Sequence, residues 1–355
     1  MKLLVTGGAG FIGSNFVRYI LAKHPHYTVR NLDKLTYSGN LHTLRDVMAD
    51  SRHTFIRADI CNRDKVQEAL SGGIDAIVHL AAETHVDRSI LDSSVFIRTN
   101  ILGTQCLLDA ARKARIKRFV MVSTDEVYGS AAPGQKFTEQ SPLAPNSPYA
   151  ASKAAADLMA RAYFRTYKFP VIIARCTNNY GSHQYPEKFI PLIIARAAKG
   201  QTVPIYGDGL QVRDWVYVLD HCAALDVVLH KGREGEVYNL ATESEWPNIE
   251  VARRILHLLG KPESLLAYVQ DRPGHDRRYA LDAAKARKEL DWKPQTTIEE
   301  GLKKTVDWYL SHSDWVRRVA ARSFRAYLQK QYDQRDSTLA EVLEGGPRSE
   351  ARGRK

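Results

Sequence analysis

Residues 6–13 read TGGAGFIG, and this stretch decides the fold of the N-terminal half of the chain. An apolar run, residues 3–5, precedes it and a helical stretch follows, so a GxxGxxG pattern stands at a turn from strand to helix. Gly7 suits the tight turn, Gly10 lets a pyrophosphate approach the backbone, and Gly13 lets the helix lie close to the sheet. The free N–H groups and the positive dipole at the start of that helix favour phosphate. The pattern therefore predicts a dinucleotide site.

Short apolar runs alternate with helical stretches through the first half of the chain, which is typical of a parallel sheet covered by helices on both faces. The predicted strands are 3–5, 29–32, 54–57, 76–80, 119–123 and 171–175, and the predicted helices are 13–23, 64–70, 100–114 and 149–167. After residue 175 this rhythm breaks into shorter elements. The pattern predicts an α/β protein, a Rossmann-type doubly wound parallel sheet with a smaller C-terminal substrate-binding lobe.

The predicted organisation has four parts. Residues 1–177 form the dinucleotide-binding domain, with some later segments returning to it, and residues 178–310 form the substrate lobe. Residues 311–344 form a basic amphipathic helical extension, and residues 345–355 form a polar, glycine-containing tail that we expect to be disordered.

Composition excludes several classes of function. The net charge is +11, but the basic residues are spread along the chain and no nucleic-acid motif accompanies them. A positive field also attracts a dinucleotide or a sugar diphosphate. The four cysteines form no CxxC pair, which favours a reducing compartment over a zinc site or disulfide framework. No apolar run is long enough to span a bilayer. We expect a cytoplasmic protein without a metal, nucleic-acid or membrane partner.

An acidic residue in the right place identifies the cofactor. Asp33 ends the predicted second strand about twenty residues after the glycine turn, where a carboxylate can accept from both ribose hydroxyls of adenosine. It would repel the extra phosphate of NADP, so NAD is favoured, although Lys34 beside it is a mild counterweight. Asp59 and Ile60 could face the adenine, and residues 80–82 are small enough to lie near the pyrophosphate and nicotinamide.

A tyrosine and a lysine indicate hydride chemistry. Tyr149 and Lys153 are one helical turn apart, so their side chains project from the same helix face. A phenol with its ordinary pKa near ~10 is a poor base at neutral pH. We expect the Lys153 ammonium, together with a positive nicotinamide ring, to lower the pKa of Tyr149. Lys153 could also bond the nicotinamide ribose.

Two adjacent acids decide the class of reaction. Thr124, Asp125 and Glu126 follow the predicted strand 119–123, at the edge of the sheet where open α/β folds bind ligands. A plain dehydrogenase needs only a hydroxyl here, whereas a carboxylic acid and a carboxylate add the means to eliminate water. The pattern predicts an enzyme that oxidises a sugar, removes water from it and reduces it again.

Over roughly residues 1–310, the chain resembles the dTDP-glucose 4,6-dehydratases of the extended short-chain dehydrogenase/reductase family. Besides the motifs above, the resemblance rests on DKLTYSGN at 33–40, LAAETHVDRS at 80–89 and DRPGHDRRY at 271–279. It implies NAD-dependent dehydration of dTDP-glucose to dTDP-4-keto-6-deoxyglucose, a hydro-lyase step of deoxysugar biosynthesis. The sequence does not decide between rhamnose and a secondary-metabolite sugar as the destination.

The resemblance also implies a role for each catalytic residue. Tyr149 takes the proton of the 4-hydroxyl while hydride passes from carbon 4 to NAD, and Thr124 holds the 4-oxygen. Glu126 takes the proton of carbon 5, and Asp125 protonates the departing 6-hydroxyl. Hydride then returns to carbon 6 and Glu126 returns a proton to carbon 5. Adjacent carboxyls can take opposite roles only if their environments separate their pKa values.

Two sets of binding residues are implied as well. The cofactor set is Gly7, Gly10, Phe11, Ile12, Gly13, Asp33, Lys34, Leu35, Thr36, Asp59, Ile60, Leu80, Ala81, Ala82, Thr84, Thr99, Tyr149, Lys153 and Asn179. The substrate set is Thr84, Thr124, Asn178, Lys188, Phe189, Pro204, Ile205, Tyr206, Arg213, Asn248, Asp271, Arg272, Pro273, Gly274, His275 and Arg277. Lys188, Arg213 and Arg277 would neutralise the diphosphate. Residues 244–247 depart from the family's sequence, so the choice of thymidine over uridine stays open.

The family's quaternary structure implies a homodimer. Its members pair the helices near 100–114 and 149–167 into a four-helix bundle. The alanines of residues 150–156 would permit close packing there, although they could equally pack on their own sheet.

Three alternatives stay open. A nucleotide-sugar 4-epimerase or a UDP-glucuronate decarboxylase would need the tyrosine, the lysine and NAD, but not the two acids. A regulatory NAD-sensing protein would keep the fold without turnover. Residues 317–355 could bind nucleic acid or an anionic membrane, but a helix docked on the body explains more simply the apolar stripe of Trp315, Val316, Val319, Phe324, Tyr327 and Leu328.

Overall fold

The computed structural model of the protein describes residues 1–319. The strands in this range are β1 (Lys2–Thr6), β2 (Thr28–Asp33), β3 (His53–Arg57), β4 (Ala76–His79), β5 (Arg118–Thr124), β6 (Val171–Cys176), β7 (Asn178–Tyr180), β8 (Val203–Tyr206), β9 (Val212–Tyr217), β10 (Val237–Leu240), β11 (Glu245–Pro247) and β12 (Leu266–Val269). The helices are α1 (Phe11–Lys23), α2 (Arg63–Leu70), α3 (Val86–Leu91), α4 (Ser94–Phe96), α5 (Thr104–Lys113), α6 (Pro148–Tyr167), α7 (Phe189–Ala197), α8 (Val218–Lys231), α9 (Asn248–Leu258), α10 (Ala284–Leu290), α11 (Ile298–Ser311) and α12 (Ser313–Val319).

Seven parallel strands form the central sheet in the order β10-β6-β5-β4-β1-β2-β3. Since β1 lies between β2 and β4, the chain builds outward in both directions and leaves a crevice at the carboxyl ends of β1 and β4. This arrangement confirms the predicted α/β class with a doubly wound parallel sheet.

Alternating side chains bury both faces of this sheet. Leu3 and Val5 enter a core cluster with α1 and α8, while Leu4 between them enters the cluster that packs against α2, α5 and α6. All three side chains are fully buried. The period of two along a strand is what lets one short run serve two cores.

A second core lies beyond the sheet. Strands β7, β9 and β11 form a three-stranded sheet, β8 pairs with β12, and α7, α9 and α11 contribute to one apolar cluster. Strand β10 returns to the main sheet beside β6. The division of the chain at residue 177 stays a prediction.

One predicted helix differs from the structure, since the helix expected over 100–114 begins as a π-helical turn, Ile97–Gly103, before α5. Of the predicted extension over 311–344, the described part holds the end of α11 and α12, whereas Phe324, Tyr327, Leu328 and the predicted tail lie outside the described residues. Among residues 1–319, no helix combines the length and hydrophobicity that a membrane span requires.

Candidate active site

A cavity, called the first cavity below, opens at the carboxyl ends of β1, β4, β5 and β6. Almost the whole predicted cofactor set lines it, namely Gly7, Gly10, Phe11, Ile12, Gly13, Asp33, Lys34, Thr36, Asp59, Ile60, Leu80, Ala81, Ala82, Thr84, Thr99, Tyr149, Lys153 and Asn179.

The glycine turn leaves no room for side chains. A Cβ at Gly7 would lie 2.6 Å from the backbone nitrogen of Ala81, and a Cβ at Gly13 would lie 2.2 Å from the Gly7 carbonyl oxygen. Gly7 also has a φ of +74°. Helix α1 begins directly after Gly10, and no side chain caps its N-terminus. The backbone itself is thus free to receive a diphosphate.

Asp33 is held in place by the backbone. Its Oδ2 accepts from the Ala9 N–H at 2.9 Å and its Oδ1 from the Leu35 N–H at 2.8 Å. Leu35, predicted to bind cofactor, does not line the first cavity; its side chain packs on the main core, and its N–H orients Asp33. The Lys34 ammonium lies 2.7 Å from an Asp59 oxygen, so its charge is already paired and attracts a 2′-phosphate less.

Helix α6 presents the tyrosine and the lysine. Ser147 caps it by accepting from the Ala150 N–H at 3.1 Å, and Pro148 occupies its first position, where a missing N–H costs nothing. Tyr149 and Lys153 follow within the first two turns and are both buried.

Lys153 bonds to the backbone of β5, since its ammonium donates to the Val122 carbonyl at 2.8 Å. Burial, followed by the charge of Glu126, raises the pKa of Tyr149 well above its ordinary value. Burial also lowers the pKa of Lys153. Among the protein's own groups, burial is therefore the largest influence on this phenol, and the lowering of its pKa by Lys153 together with a positive nicotinamide ring stays a prediction.

Asp125 has the environment of a protonated acid. The Thr124 hydroxyl donates to Asp125 Oδ1 at 3.1 Å and accepts from the Glu126 N–H at 3.3 Å. Asp125 Oδ2 is buried and has no hydrogen-bond partner among residues 1–319. Burial, and then the neighbouring charge of Glu126, raises the pKa of Asp125 well above its ordinary value.

Glu126 lies among cations. Burial raises its pKa, but Arg272, Arg213 and Lys188 oppose this rise. The chemistry requires a protonated Asp125 and an ionised Glu126. The environments of the two acids differ in this direction, since cations favour an ionised Glu126. Tyr279, which the sequence analysis did not assign, places its hydroxyl oxygen 3.4 Å from Glu126 Oε2.

A second cavity adjoins the first. The two share the residues Thr84, Glu126, Asn178, Asn179, Gln184, Glu187 and Lys188. The predicted substrate residues that line the second cavity are Thr84, Asn178, Lys188, Phe189, Pro204, Ile205, Tyr206, Arg213, Asn248, Arg272 and His275. Thr124 lines the first cavity instead.

Four predicted substrate residues line neither cavity. They are Asp271, Pro273, Gly274 and Arg277. Asp271 orients a lining residue, since its Oδ1 is 2.6 Å from His275 Nδ1. The Arg277 guanidinium donates to Asp208 at 2.8 Å and the Arg277 side chain is 54% exposed. The charge of Arg277 is therefore already paired with Asp208 at the surface.

Three cations converge on the second cavity. The Lys188 ammonium donates to the Thr84 carbonyl at 2.8 Å, and Arg213 lies with its guanidinium carbon 4.1 Å from the ring centre of Tyr279. Arg272 lies 3.3 Å from Asp87. Arg213 is buried, and Lys188 and Arg272 are partly buried. Cations in this arrangement suit a diphosphate.

Other lining residues escaped the sequence analysis. They include Tyr37, Gln184, Tyr185, Glu187, Asp87, Gln211 and Trp215. Tyr37 and Asp87 fall inside the motifs that carried the resemblance, which was the available signal. The oxygen Oδ1 is buried without a partner among the described residues in each of Asn178, Asn179 and Asn248, so each can receive a donor from a ligand.

Known proteins resemble this chain in both sequence and structure. The sequence model of the family described as GDP-mannose 4,6 dehydratase matches residues 4–305. A dTDP-glucose 4,6-dehydratase of Xanthomonas campestris is 50% identical over 91% of this chain and 97% of its own. The solved structure of a Streptomyces venezuelae dTDP-glucose 4,6-dehydratase with NAD and TDP bound is 50% identical, covers 90% of this chain and 100% of its own, and has a TM-score of 0.88. A Thermotoga maritima UDP-glucose 4-epimerase structure is 30% identical over 88% of this chain and 100% of its own, with a TM-score of 0.82.

Proposed function

Because the chain belongs to the dTDP-glucose 4,6-dehydratase family, we propose that Tyr149, Asp125 and Glu126 carry the proton transfers of its reaction. The enzyme converts dTDP-glucose to dTDP-4-keto-6-deoxyglucose with NAD as cofactor, and the net change is loss of water. The observation that carries the proposal is the pair of adjacent carboxyls in opposed environments, with Asp125 Oδ2 buried and unpartnered among residues 1–319.

The first cavity fits NAD. The glycine turn and the start of α1 would hold the pyrophosphate, and Asp33 would hold the adenosine ribose. When bound, NAD supplies the acceptor and later the donor of one hydride, and its oxidised ring supplies a positive charge that lowers the pKa of Tyr149. Asn179 offers a buried oxygen without a partner among the described residues to an amide or hydroxyl donor.

The protein residues then act in sequence. Tyr149 takes the proton of the sugar's 4-hydroxyl, and Thr124 holds the 4-oxygen. The resulting ketone acidifies carbon 5, whose proton Glu126 takes. Asp125 protonates the departing 6-hydroxyl from Oδ2, so water leaves. After hydride reaches carbon 6, Glu126 returns its proton to carbon 5.

The catalytic cycle closes only if a proton returns from Tyr149 to Asp125. At the end of one turnover Glu126 is restored, but Tyr149 holds one extra proton and Asp125 lacks one. Thr124 donates to Asp125 at 3.1 Å and is also a hydrogen-bonding neighbour of Tyr149. Asp125 is only 2% exposed, which limits exchange with solvent. We therefore assign to Thr124 the return of the proton from Tyr149 to Asp125.

We place the nucleotide in a lobe formed by residues 178–310. Lys188, Arg213 and Arg272 would neutralise the diphosphate, and the buried Asn248 oxygen would accept from the base. Arg272 thus replaces Arg277 in the predicted set of cations.

The deciding experiment removes both acids. The double variant Asp125→Asn/Glu126→Gln, incubated with dTDP-glucose without added NAD, should still oxidise carbon 4 and form bound NADH, but make no 6-deoxy product. Asp208→Asn is the matched control, because this carboxylate is exposed and its pair with Arg277 lies outside both cavities. Normal dehydration by the double variant would contradict the assignment.

We also propose a homodimer through the π-helical turn, α5 and α6. Large apolar side chains are exposed there, with Leu102 56% and Leu158 52% exposed. Exposed apolar side chains of this size support an interface there. Sedimentation should give a dimer at micromolar concentration and a monomer for Leu158→Glu; a monomeric natural chain would contradict the proposal.

We further propose that the enzyme works in the cytoplasm. All four cysteines are free thiols, which a reducing compartment preserves. Fractionation of cells should recover dehydratase activity with cytoplasmic markers, and activity in the periplasmic or extracellular fraction would contradict this.

A further inference from the structure

The first cavity is bridged by two loops. The ribose loop, residues 34–44, follows β2 and supplies Lys34, Thr36, Tyr37, Ser38 and Gly39 to the lining. The lobe loop, residues 181–188, follows β7 and supplies Gln184, Tyr185, Glu187 and Lys188. They belong to different parts of the chain, so their contact needs a physical cause.

The loops meet through aromatic rings. Tyr37 and Tyr185 make an edge-to-face contact with ring centres 5.6 Å apart. Arg88 stacks on Tyr37 at 3.9 Å and bonds Glu187 at 2.8 Å, which ties the ribose loop to the lobe loop a second time. Tyr37, Tyr185 and Glu187 all line the first cavity, so these contacts form part of its wall.

A third segment supports the bridge from behind. Trp308 packs on the ring of His183, a lobe-loop residue, with centres 4.5 Å apart, and Trp315 meets the same ring edge-on at 5.6 Å. His183 has a φ of +65°, a backbone conformation that a non-glycine residue adopts only where its surroundings hold it. The Tyr309 hydroxyl donates to the Gln184 carbonyl.

The same segment holds the ribose loop. The Trp315 indole N–H donates to the buried Thr43 hydroxyl at 3.3 Å. The Tyr185 hydroxyl donates to the Val319 carbonyl at 3.4 Å, and Tyr185 and Val319 form an apolar cluster with Tyr37 and Trp315. Residues 308–319 therefore contact both loops at once, and we call them the C-terminal strap.

We infer that the C-terminal strap positions the two loops so that the cofactor stays bound between oxidation and re-reduction. The inference rests on the proposed function, since a hydride that must return to the same sugar requires that its carrier not leave. Trp315 is a positioning residue: it does not line either cavity, and it acts through Thr43 and His183.

The test uses the full chain with Trp315→Ala. Bound NAD is exchanged against labelled NAD without sugar present, and nucleotide content is measured after gel filtration. We expect exchange at least tenfold faster than in the natural chain, partial loss of bound NAD, and activity that added NAD restores. Trp315→Phe keeps the ring contacts but loses the bond to Thr43, so its effect should be smaller. Leu310→Ala, which removes an exposed side chain within the strap, is the matched control and should exchange normally.

Two further variants keep the outcome decisive. If Trp315→Ala unfolds in thermal melts, Tyr185→Phe removes only the hydroxyl that bonds Val319, and it should also speed exchange. A chain that ends at His312 should lose NAD at least as fast as Trp315→Ala. Natural exchange rates in folded Trp315→Ala, or in both Tyr185→Phe and the shortened chain, would overturn the inference. A natural chain that retains NAD but does not dehydrate dTDP-glucose would instead refute the proposed function and leave the strap intact.

Discussion

The two cavities of this protein are built in opposite ways. The first is shaped largely by backbone, through the glycine turn, the uncapped start of α1 and the small residues after β4. The second is shaped mainly by side chains, many of them charged or aromatic, from several separate segments that include residues 84–87, 187–193, 204–215 and 272–275. A backbone site tolerates no added atom at its glycines, whereas a side-chain site tolerates no change in the geometry of its charges. The difference predicts which substitutions damage each cavity.

The largest effect should come from one methyl group in the first cavity. Gly13→Ala would place Cβ 2.2 Å from the Gly7 carbonyl oxygen, so α1 would have to move away from the turn. We expect bound NAD to be absent and activity to fall by more than ~100-fold, since misplacement by about 1 Å has this effect. Nucleotide content and turnover with added NAD measure it. Gly134→Ala is the control, because its φ is +77° but an added methyl meets no atom within 4 Å. It should keep its NAD, and full NAD in Gly13→Ala would contradict the steric argument.

The second cavity should respond to a change that keeps the charge. Arg213→Lys retains a cation but loses the planar guanidinium that lies over Tyr279 and donates to the Asp276 carbonyl at 2.9 Å. We expect KM for dTDP-glucose to rise roughly 10- to 100-fold, as loss of a charged hydrogen bond predicts. NAD content should not change. Initial rates and nucleotide content separate the two cavities, and a loss of NAD would show that they are not independent.

Thr124, at the sheet edge between the cavities, should affect the cycle more than binding. Thr124→Val removes the hydroxyl to which we assign the return of the proton to Asp125. We expect a first turnover per active site that is slowed by the lost bond to the 4-oxygen, followed by a steady state about tenfold slower than that first turnover, with Thr124→Ser restoring the natural profile. Quenched-flow measurement of product resolves the burst. A uniform slowing of the first turnover, without a burst, would confine Thr124 to holding the sugar oxygen.

Asp125 should lower the stability of the folded protein progressively as pH rises. Burial raises its pKa in the folded state, so its contribution to stability is fully present below the unfolded pKa and is lost as pH rises towards the folded value. Asp125→Asn cannot ionise. Its free energy of unfolding should therefore exceed that of the natural chain by an amount that grows with pH above ~4 and reaches on the order of 1–3 kcal/mol. Its Tm should be higher in the same pH range. Thermal melts from pH 5 to 8 measure the difference, which a pH-independent offset would contradict.

The smallest effect should come from Arg277. Its guanidinium is paired with Asp208 at the surface, where an ion pair contributes ~1 kcal/mol or less. Arg277→Ala should change KM for dTDP-glucose less than about twofold, in contrast to Arg213→Lys, because an exposed pair outside the cavity holds no ligand charge. Initial-rate kinetics on both variants would show whether the second cavity ends where the structure places it.

Sequence motifs and the family resemblance together predicted most of the residues that line the first cavity, because the signals for them are local in the chain. A glycine turn, an acid after the next strand and a helical YxxxK fix their neighbours through short-range geometry, and only Leu35 turned its side chain away. The second cavity was predicted less well, since consecutive residues of one loop face different ways. Arg272 and His275 face the cavity while Arg277 faces solvent, and no spacing rule distinguishes them.

Contacts between distant segments were beyond prediction. The bond from the Lys153 ammonium to the Val122 carbonyl on β5, for example, joins residues that are 31 positions apart. The joining of Tyr37, Tyr185 and Trp315 likewise depends on packing over more than a hundred residues of sequence separation. Such contacts are fixed by the tertiary structure and leave no periodic pattern in the chain.

The position of β10 has a consequence for how the protein is made. The main sheet gains no strand after Cys176 until Val237–Leu240, roughly sixty residues later. At synthesis rates of about 5–20 residues per second, the outer edge of β6 stays unpaired on the ribosome for roughly 3–12 s. An open edge of this kind recruits foreign strands. Nascent chains therefore face their greatest risk of aggregation in this interval, when a chaperone that covers the edge would have the most to protect.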